Sequence, residues 1–351
     1  MTLDALRKKL DKKYDPAQRP IYGSERPTYV TTSTGSLALD VALGTGGWVR
    51  GRLHEIAGQK GVGKSSLMMA SIAAQQKAWP DQAVVYIDME QTFDWRWAEQ
   101  FGVDVENNFL HLKPDSSEHV SDMLREVTAS EAVSCAIIDS IGAMESEKAF
   151  EKDAGDAVMG RNAQVITRMV KHVSVLADRN NVTVLLVNQL RANLSGMGQD
   201  ITAGPKALGY GLSTAVLLSK AESPKKMKVA GDEQIVSLPL KARITKNKLA
   251  GGEQRHALYN LNVVDTEALG PVGIDQIDET IRVGISTGAI IQRGAFYTLP
   301  DGDRIKSKDS VYEALAETPE RVTQIRDKAI ALIQGKVNEE GEIELTTEAP
   351  E

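Results

Sequence analysis

The sequence predicts an α/β fold in which helices cover both faces of a mostly parallel β-sheet. Between about residues 31 and 264, apolar segments of strand length alternate with segments of helical length. Strands that are apolar on both faces and alternate with helices are typical of a buried parallel sheet. A glycine-rich sequence joins one such strand to one such helix. At 351 residues the chain also exceeds the usual size of one core, so smaller appended units are expected.

Composition and charge exclude several classes of protein. Hydrophobic residues make up 42% of the chain and charged residues 25%, a balance typical of globular proteins. The net charge of −7 excludes binding of nucleic acid by bulk positive charge, although a local basic groove stays compatible with it. A single cysteine, Cys135, excludes an intrachain disulfide. We find no membrane-spanning run and no secretory signal, so we expect a cytoplasmic protein without membrane attachment.

The first predicted element is a helix from Thr2 to about Tyr14. Three leucines fall on one face of this helix, and a proline follows its end. Such a narrow apolar stripe cannot support an independent domain. Residues 1–30 are therefore predicted to be a helix and linker that tether the chain to another surface, for example a second copy. A solvated, frayed terminus is the alternative.

Residues 31–268 are predicted to form the sheet and the helices that cover it. Parallel strands are predicted at Arg52–Ala57, Ala83–Ile87, Ala136–Ile138 and Val182–Val187, with helices at Ser65–Ala78, Ser116–Ser130 and Asn162–Arg179. Later apolar segments follow one another without long helices between them. They predict an antiparallel extension of the same sheet, with strands at Ala215–Ser219, Ile235–Thr245 and Ala257–Val264.

A smaller α+β unit is predicted from residue 269 to residue 337, after the break at Gly270-Pro271. Its elements are a helix near Ile274–Thr287, a short strand at Ala295–Leu299 and helices over Lys308–Ile333. The last 14 residues, 338–351, contain six glutamates and no basic residue. That composition predicts a disordered acidic tail.

A phosphate-binding loop is predicted where the first parallel strand meets its helix. Residues 58–65 match the pattern G-x-x-x-x-G-K-[ST] at every position. In this context, backbone N–H groups and the helix start surround the phosphates of a nucleotide such as ATP. Lys64 is predicted to reach the outer phosphates and Ser65 to bind Mg²⁺, whereas an ordinary glycine-rich turn is the alternative. The predicted nucleotide-binding residues of this loop are Gly58, Gln59, Lys60, Gly61, Val62, Gly63, Lys64, Ser65 and Ser66.

Polar residues at the ends of three other strands are predicted to complete the nucleotide site. Asp139 ends a buried strand, where a carboxylate is costly, so we predict that it binds Mg²⁺. Glu90 follows a second strand and is predicted to orient or deprotonate the attacking water. Gln189 ends a third and is predicted to sense the γ-phosphate. The alternatives are an Asp that caps the next turn, a solvent-facing Glu and a plain strand-end amide.

Two glycine-containing stretches are predicted to be partner-binding loops. Residues 191–211 contain five glycines and show neither helical nor strand periodicity, so we predict a long structureless loop. Residues 152–162 form the second stretch. DNA is one candidate partner, although neither loop is strongly basic. Phosphate contacts are assigned to Arg161, Lys171, Arg191 and Lys206, and insertion between bases to Met159, Leu194 and Met197.

Six motifs occur together in an order and a spacing that match one known family. They are residues 33–40 (Ser-Thr-Gly-Ser-Leu-Ala-Leu-Asp), the phosphate loop, 86–90 (Tyr-Ile-Asp-Met-Glu), 138–140 (Ile-Asp-Ser), 187–191 (Val-Asn-Gln-Leu-Arg) and 245–248 (Thr-Lys-Asn-Lys). Over about residues 1–335 the chain resembles the bacterial RecA-type DNA recombinases. The resemblance implies a P-loop NTPase fold and an ATP-dependent helical filament on single-stranded DNA. It also implies pairing with a homologous duplex and exchange of strands.

The resemblance implies roles for further residues. Glu90 looks like the water-activating carboxylate and Gln189 like the nucleotide switch. Lys246 and Lys248 match basic residues that reach the γ-phosphate of the neighbouring subunit, which would link nucleotide state to filament geometry. Asp94 and Trp97 fall where the family contacts adenine. Contacts with single-stranded DNA are implied for Thr167, Lys171, Arg191, Leu194 and Lys206, and a duplex-sampling site near Lys220, Lys241 and Arg243.

The chain also departs from the family pattern. A Gly204-Pro205 pair replaces two glycines, Lys206 replaces a polar amide and Gln164 replaces an arginine, which suggests a divergent, for example virus-encoded, member. One alternative function is a ring-forming DNA helicase, although the chain has no sizeable extra N-terminal domain. Another is a recombination mediator that hydrolyses ATP poorly, against which Lys64 and the acidic strand ends argue.

Overall fold

The structure is a computed structural model that describes residues 1–14, 29–144, 156–191, 201–202, 205–229, 231–250 and 255–335. The chain divides into two compact units, Met1–Val30 and Thr31–Glu351. In the first unit, helix α1 spans Leu3–Lys13, and the Thr2 hydroxyl accepts a hydrogen bond from the backbone N–H of Ala5. The predicted N-terminal helix is therefore confirmed, and its tethering role stays a prediction.

The second unit contains the strands and helices of the α/β fold. Its first half comprises β1 (Thr31–Thr32), α2 (Leu37–Leu43), β2 (Trp48–Val49), β3 (Leu53–Gly58), α3 (Lys64–Ala78), β4 (Ala83–Asp88), α4 (Trp95–Gln100), β5 (Phe109–Leu112), α5 (Ser117–Thr128), β6 (Val133–Asp139), a 3-10 turn (Ile141–Ala143), α6 (Asp156–Asn180) and β7 (Thr183–Arg191). The second half comprises β8 (Ile201–Thr202), α7 (Lys206–Gly211), β9 (Thr214–Lys220), β10 (Lys225–Val229), β11 (Asp232–Asn247), β12 (His256–Asn262), β13 (Gly273–Ile274), α8 (Gln276–Thr287), β14 (Ile291–Arg293), β15 (Phe296–Thr298), β16 (Arg304–Lys306), α9 (Lys308–Glu317) and α10 (Pro319–Gln334).

One large sheet organises this unit, with the strand order β13-β12-β11-β9-β3-β7-β6-β4-β5. The six strands from β9 to β5 run parallel to one another. Strands β10 to β13 form an antiparallel extension beyond β9. The predicted mostly parallel sheet with an antiparallel extension is therefore confirmed. A separate antiparallel sheet, β14-β15-β16, lies in the C-terminal part, where the sequence predicted a single strand.

Two hydrophobic clusters cover the two faces of the large sheet. Alternate residues of β4 enter different clusters, with Val84 and Tyr86 in one and Val85 and Ile87 in the other. This alternation is the period of two that a strand imposes on its side chains. Helices α8, α9 and α10 contribute buried residues to the first cluster. The predicted domain boundary at residue 268 stays a prediction.

Buried Glu279 of α8 ties the C-terminal part of the chain to the start of α2. Its Oε1 accepts hydrogen bonds from the Ser36 hydroxyl and from Ala38 N, the latter at 2.9 Å. Its Oε2 accepts from Leu37 N at 2.9 Å. Burial raises the pKa of Glu279 to about 7, although these hydrogen bonds act in the opposite direction. The free N–H groups at a helix start are thus satisfied by a carboxylate from a distant helix.

The structure corrects two predictions around the glycine-containing stretches. Helix α6 begins at Asp156, six residues before the predicted start at Asn162. Within the predicted structureless loop, β8 pairs with the end of β7, and residues 206–211 form α7. A Cβ atom added at Gly211 would lie 2.1 Å from Val170 Cγ1, so this glycine permits close packing of α7 on α6. Gly211, one of the two glycines that hid the helical pattern, therefore serves helix packing.

Several predicted segments lie outside the described residues. These are residues 192–200, which include Leu194 and Met197, residues 145–155 and the acidic tail 338–351. Among the helices that the structure describes, we find none with the length and apolar character needed to cross a membrane.

Candidate nucleotide-binding site

The phosphate loop connects β3 to α3, as the sequence predicts. A Cβ atom on Gly58 would lie 2.7 Å from Val62 Cγ2 and 2.8 Å from the Leu218 carbonyl oxygen, so this position accepts only glycine without rearrangement. The Lys64 ammonium donates hydrogen bonds to the carbonyl oxygens of Gly58 and Gln59, at 3.0 and 2.9 Å. Lys64 therefore lies across the mouth of the loop.

Asp139 lies at the end of β6, directly opposite Asp88 at the end of β4. The Tyr86 hydroxyl donates a hydrogen bond to Asp139 Oδ2 at 2.6 Å. Burial raises the pKa of Asp139 to about 6, while the hydrogen bond from Tyr86 and the charge of Lys64 act against the rise. The carboxylate is therefore ionised at neutral pH, and one of its oxygens is already oriented by Tyr86.

Glu90, which follows β4, forms hydrogen bonds with residues at the ends of β6 and β7. Its Oε1 accepts a hydrogen bond from the Ser140 hydroxyl at 2.6 Å and another from Gln189 Nε2 at 2.5 Å. Burial lowers the pKa of Lys64, and the charges of Asp139 and Glu90 oppose that shift. The four residues predicted from separate strand ends and from the loop thus belong to one electrostatic site.

The predicted magnesium ligands suit that ion. Ser65 is exposed in the first turn of α3, and Asp139 is buried beside the loop. Mg²⁺ prefers oxygen ligands and is usually held by one or two protein groups together with phosphates and water. No cluster of three or more His, Cys, Asp or Glu side chains that could hold a metal exists in the described ranges. The pair of Ser65 and Asp139 therefore fits Mg²⁺ that arrives with a nucleotide.

The two residues predicted near adenine lie at the start of α4. The Asp94 carboxylate caps this helix by accepting a hydrogen bond from Trp97 N at 3.0 Å. The Trp97 indole donates to the Ser66 hydroxyl at 3.3 Å. This contact joins α4 to the phosphate-loop helix. The role of both residues in adenine binding stays a prediction.

Lys246 and Lys248 stand at the end of β11 and contact α7 of the same chain. The Lys246 ammonium donates to the Gly209 carbonyl, and the Lys248 ammonium donates to the Tyr210 carbonyl at 2.7 Å. Both lysines therefore touch the segment that follows β7 and Gln189. Their predicted contact with a neighbouring subunit stays a prediction.

The predicted DNA contacts are distributed over α6 and the antiparallel extension. Lys171 is exposed on α6, while the Thr167 hydroxyl donates to the Ala163 carbonyl of its own helix. Lys220 is exposed at the end of β9, and Lys241 and Arg243 are half-buried on one face of β11. The side chains of Met159, Arg161, Arg191 and Lys206 lie outside the described part of the structure.

Sequence reasoning missed the residues that orient the predicted ones. Tyr86 and Ser140 contact Asp139 and Glu90, but nothing in their local sequence indicates those contacts. Asn188 is also buried and donates to Glu55 Oε1 at 2.7 Å. The pair of consecutive amide residues, Asn188 and Gln189, at the end of an apolar segment could have indicated a role for Asn188. Burial raises the pKa of Glu55, and the hydrogen bond from Asn188 opposes that shift.

A strand, a glycine loop and a helix that begins with Lys-Ser, together with acidic strand ends on a parallel sheet, define the P-loop NTPase class. Comparisons with known proteins identify the family within this class. The family model for the RecA N-terminal domain matches residues 2–262. The chain therefore belongs to the RecA family, as its resemblance predicted.

Individual relatives match over most of the chain. Protein RecA of Thioalkalivibrio sulfidiphilus (strain HL-EbGR7) is 31% identical over 314 residues, which cover 88% of this chain and 87% of that protein. Protein RecA of Staphylococcus aureus (strain JH9) is 29% identical over 324 residues, with 91% and 87% covered. Protein RecA of Paracoccus denitrificans is 27% identical over 330 residues, with 93% and 88% covered. Membership of this family places the chain among proteins of DNA recombination and repair.

Proposed function

We propose that this protein is a DNA-dependent ATPase that forms helical filaments on single-stranded DNA. In these filaments it pairs the bound strand with a homologous duplex and exchanges strands, in the cytoplasm. The observation that carries the proposal is the position of Glu90. Its carboxylate is held by Ser140 and Gln189 beside Lys64 of the phosphate loop. Family membership supports the link from this ATP site to DNA recombination.

The residues of the loop bind and orient ATP. Backbone N–H groups of the loop donate to the phosphate oxygens, and Lys64 leaves the two carbonyls it now contacts to reach the outer phosphates. Ser65 and Asp139 would hold Mg²⁺, which would supply positive charge next to the phosphates. Glu90 accepts a hydrogen bond from the attacking water, aligns it with the γ-phosphate and takes its proton.

Gln189 couples this chemistry to the rest of the chain. Its amide donates directly to Glu90, and its backbone leads through Arg191 into residues 192–200, which are predicted to contact DNA. Lys246 and Lys248 contact α7, the helix that comes after residues 192–200 in the chain. In a filament these lysines would complete the ATP site of the neighbouring copy. ATP binding, subunit contact and DNA contact then become one coupled equilibrium.

Single-stranded DNA would be bound mainly through its phosphates, with base pairing supplying sequence specificity. The residues proposed for this contact are Met159, Arg161, Thr167, Lys171, Arg191, Leu194 and Lys206. Lys220, Lys241 and Arg243 are proposed to sample the duplex. Binding through phosphates predicts an affinity that falls steeply with salt, in proportion to the number of contacts.

The test combines an ATPase assay with imaging. Lys64→Ala is expected to lower DNA-stimulated phosphate release about 100-fold or more, because it removes a charge aimed at the transferred phosphate. Lys77→Ala, an exposed lysine near the end of the same helix, is the matched control and should keep the parent rate. Hydrolysis by Lys64→Ala at the parent rate would show that the phosphate-loop assignment is wrong.

Electron microscopy addresses the DNA-bound state. With circular single-stranded DNA and a non-hydrolysable ATP analogue, the protein is expected to form continuous helical filaments along the circle. Closed rings would support the helicase alternative. Protein that loads onto the DNA but releases little phosphate and exchanges no strands would support the mediator alternative.

A further inference from the structure

The turn that carries Glu90 is held by a buried pair of residues outside the predicted site. Asp88 ends β4 and is 1% exposed. Its Oδ1 accepts a hydrogen bond from Glu90 N at 3.1 Å, and its Oδ2 accepts from Phe93 N at 3.1 Å. His111 of β5 places Nε2 3.1 Å from the same Oδ2. One carboxylate therefore binds both ends of the turn and a histidine behind it.

This turn needs such an anchor. Gln91 has a φ of 54°, in the left-handed region that residues other than glycine seldom adopt. An aspartate that accepts a hydrogen bond from the backbone N–H two residues later forms an Asx turn. The Asp88 side chain does this with Glu90, and it also accepts a hydrogen bond from the backbone N–H of Phe93, five residues later. The hydrogen bonds of Asp88 thus fix the backbone from which the Glu90 side chain projects.

His111 is enclosed rather than solvated. Its side chain is 7% exposed, and its ring centroid lies 5.0 Å from that of Phe93 and 5.3 Å from that of Trp95. Register explains the contact, because His111 pairs with Tyr86 of β4, two residues before Asp88. An ionised carboxylate only accepts hydrogen bonds, so Nε2 of His111 donates to Asp88 whether the ring is neutral or charged. Removal of this donor would leave Asp88 buried with one partner fewer.

We propose that Asp88 and His111 are positioning residues for ATP hydrolysis. His111 fixes the Asp88 carboxylate, Asp88 fixes the turn, and the turn holds the Glu90 carboxylate between Ser140 and Gln189. This inference rests on the proposed function, since it requires Glu90 to act on the attacking water. It assigns neither residue a contact with ATP, so it predicts an effect on turnover without an effect on nucleotide binding.

The main test compares two substitutions of the histidine. His111→Leu fills a similar volume without a donor, and His111→Gln returns an N–H donor at a similar distance from the backbone. We expect His111→Leu to lower the kcat of DNA-stimulated ATP hydrolysis about tenfold with little change in KM for ATP, because small displacements of a positioned group reduce turnover strongly. His111→Gln should recover most of the loss. Asp88→Asn, which replaces one acceptor oxygen by a donor, should reproduce it.

A packing control separates positioning from general stability. Phe109→Leu loosens the same aromatic cluster on the same strand, where the Phe93 and Phe109 centroids are 5.3 Å apart, and it leaves the donor to Asp88 in place. It should keep the parent kcat. An equal loss of kcat in Phe109→Leu and His111→Leu, with no recovery in His111→Gln, would overturn the proposal.

Amide hydrogen exchange supplies a readout that does not need hydrolysis. Peptides that cover Glu90 and Phe93 should exchange faster in His111→Leu than in the parent, and His111→Gln should return to the parent rate. Unchanged exchange in His111→Leu would refute the role of the pair. A parent protein that shows no ATP hydrolysis would refute the proposed function instead. In that case, faster exchange in His111→Leu would still support the conclusion that Asp88 and His111 stabilise the turn that carries Glu90.

Discussion

Glu279 offers a test of how the C-terminal helices are joined to the nucleotide-binding core. Its side chain is fully buried and accepts three hydrogen bonds at the start of α2. Burial raises its pKa from the ordinary 4.5 to about 7. Because the folded state binds this proton more tightly than the unfolded state, the group stabilises the fold most below pH 4.5. That contribution is lost as the pH rises toward 7.

The expected size of the effect follows from the two pKa values. One pKa unit corresponds to about 1.4 kcal/mol. With 4.5 in the unfolded state and about 7 in the folded state, ionisation of Glu279 lowers the free energy of unfolding by about 2–3 kcal/mol between pH 5 and pH 8. Glu279→Gln removes this ionisation. It also removes one hydrogen-bond acceptor, at a cost of about 1–3 kcal/mol that does not depend on pH.

The assay is urea unfolding of parent and variant at several pH values between 5 and 8. The free energy of unfolding of Glu279→Gln relative to that of the parent should rise by about 2–3 kcal/mol across this range, whatever the constant difference between the two proteins. Glu313→Gln, which replaces an exposed carboxylate on α9, is the matched control and should show no such trend. A constant difference between Glu279→Gln and the parent from pH 5 to pH 8 would refute the reasoning, because the carboxylate would then not be ionising inside the fold.

Three further predictions concern the site and its surroundings. Tyr86→Phe removes a hydrogen bond that favours the ionised form of Asp139, so the pKa of Asp139 should rise above about 6. The pH at which Mg²⁺-dependent binding of a fluorescent ATP analogue is half lost should therefore move upward. Gly211→Ala places a Cβ against Val170 and should lower the melting temperature by several degrees, and adding Val170→Ala should restore part of the loss. Lys248→Ala should leave the fold intact, since this lysine is exposed, but should abolish the cooperative rise of ATPase activity with protein concentration. A cooperative rise equal to that of the parent would contradict the proposed contact between subunits.

The alternation of apolar strand-length segments with helical segments, together with the phosphate-loop pattern, was sufficient to locate the central strands. Strand β3 was predicted to within one residue at each end, although its buried residues include the polar His54 and Glu55. The phosphate-loop pattern that begins at Gly58 marks where this strand ends. Strand β5 was missed because it has only four residues, none of them buried, at the edge of the sheet. Helix α7 was missed because its two glycines lower the helical signal, and one of them, Gly211, is needed for packing against Val170.

The nucleotide site was predicted in part for a related reason. A phosphate loop is continuous in sequence, so its pattern can be read directly. The contacts that orient the predicted catalytic groups join residues far apart in the chain, such as Tyr86 and Asp139, 53 residues apart, or Glu90 and Gln189, 99 residues apart. Such contacts depend on strand order and register, which a single sequence does not encode as a local pattern. The strand ends were therefore predictable, and their hydrogen-bond partners were not.

The hydrogen bonds at Glu90 indicate which of its partners is free to respond to nucleotide. Ser140 and Gln189 both donate to Oε1, which fills the two lone pairs of that oxygen. In the proposed mechanism, a water molecule that gives its proton to Glu90 would have to use the other oxygen, Oε2, or displace one of these two donors. Ser140 is fully buried, whereas the Gln189 side chain is exposed and Asn188 before it is anchored to Glu55. In the proposed mechanism the displaced donor would therefore be Gln189, and the hydrogen bond from Asn188 to Glu55 would hold the adjacent backbone in place.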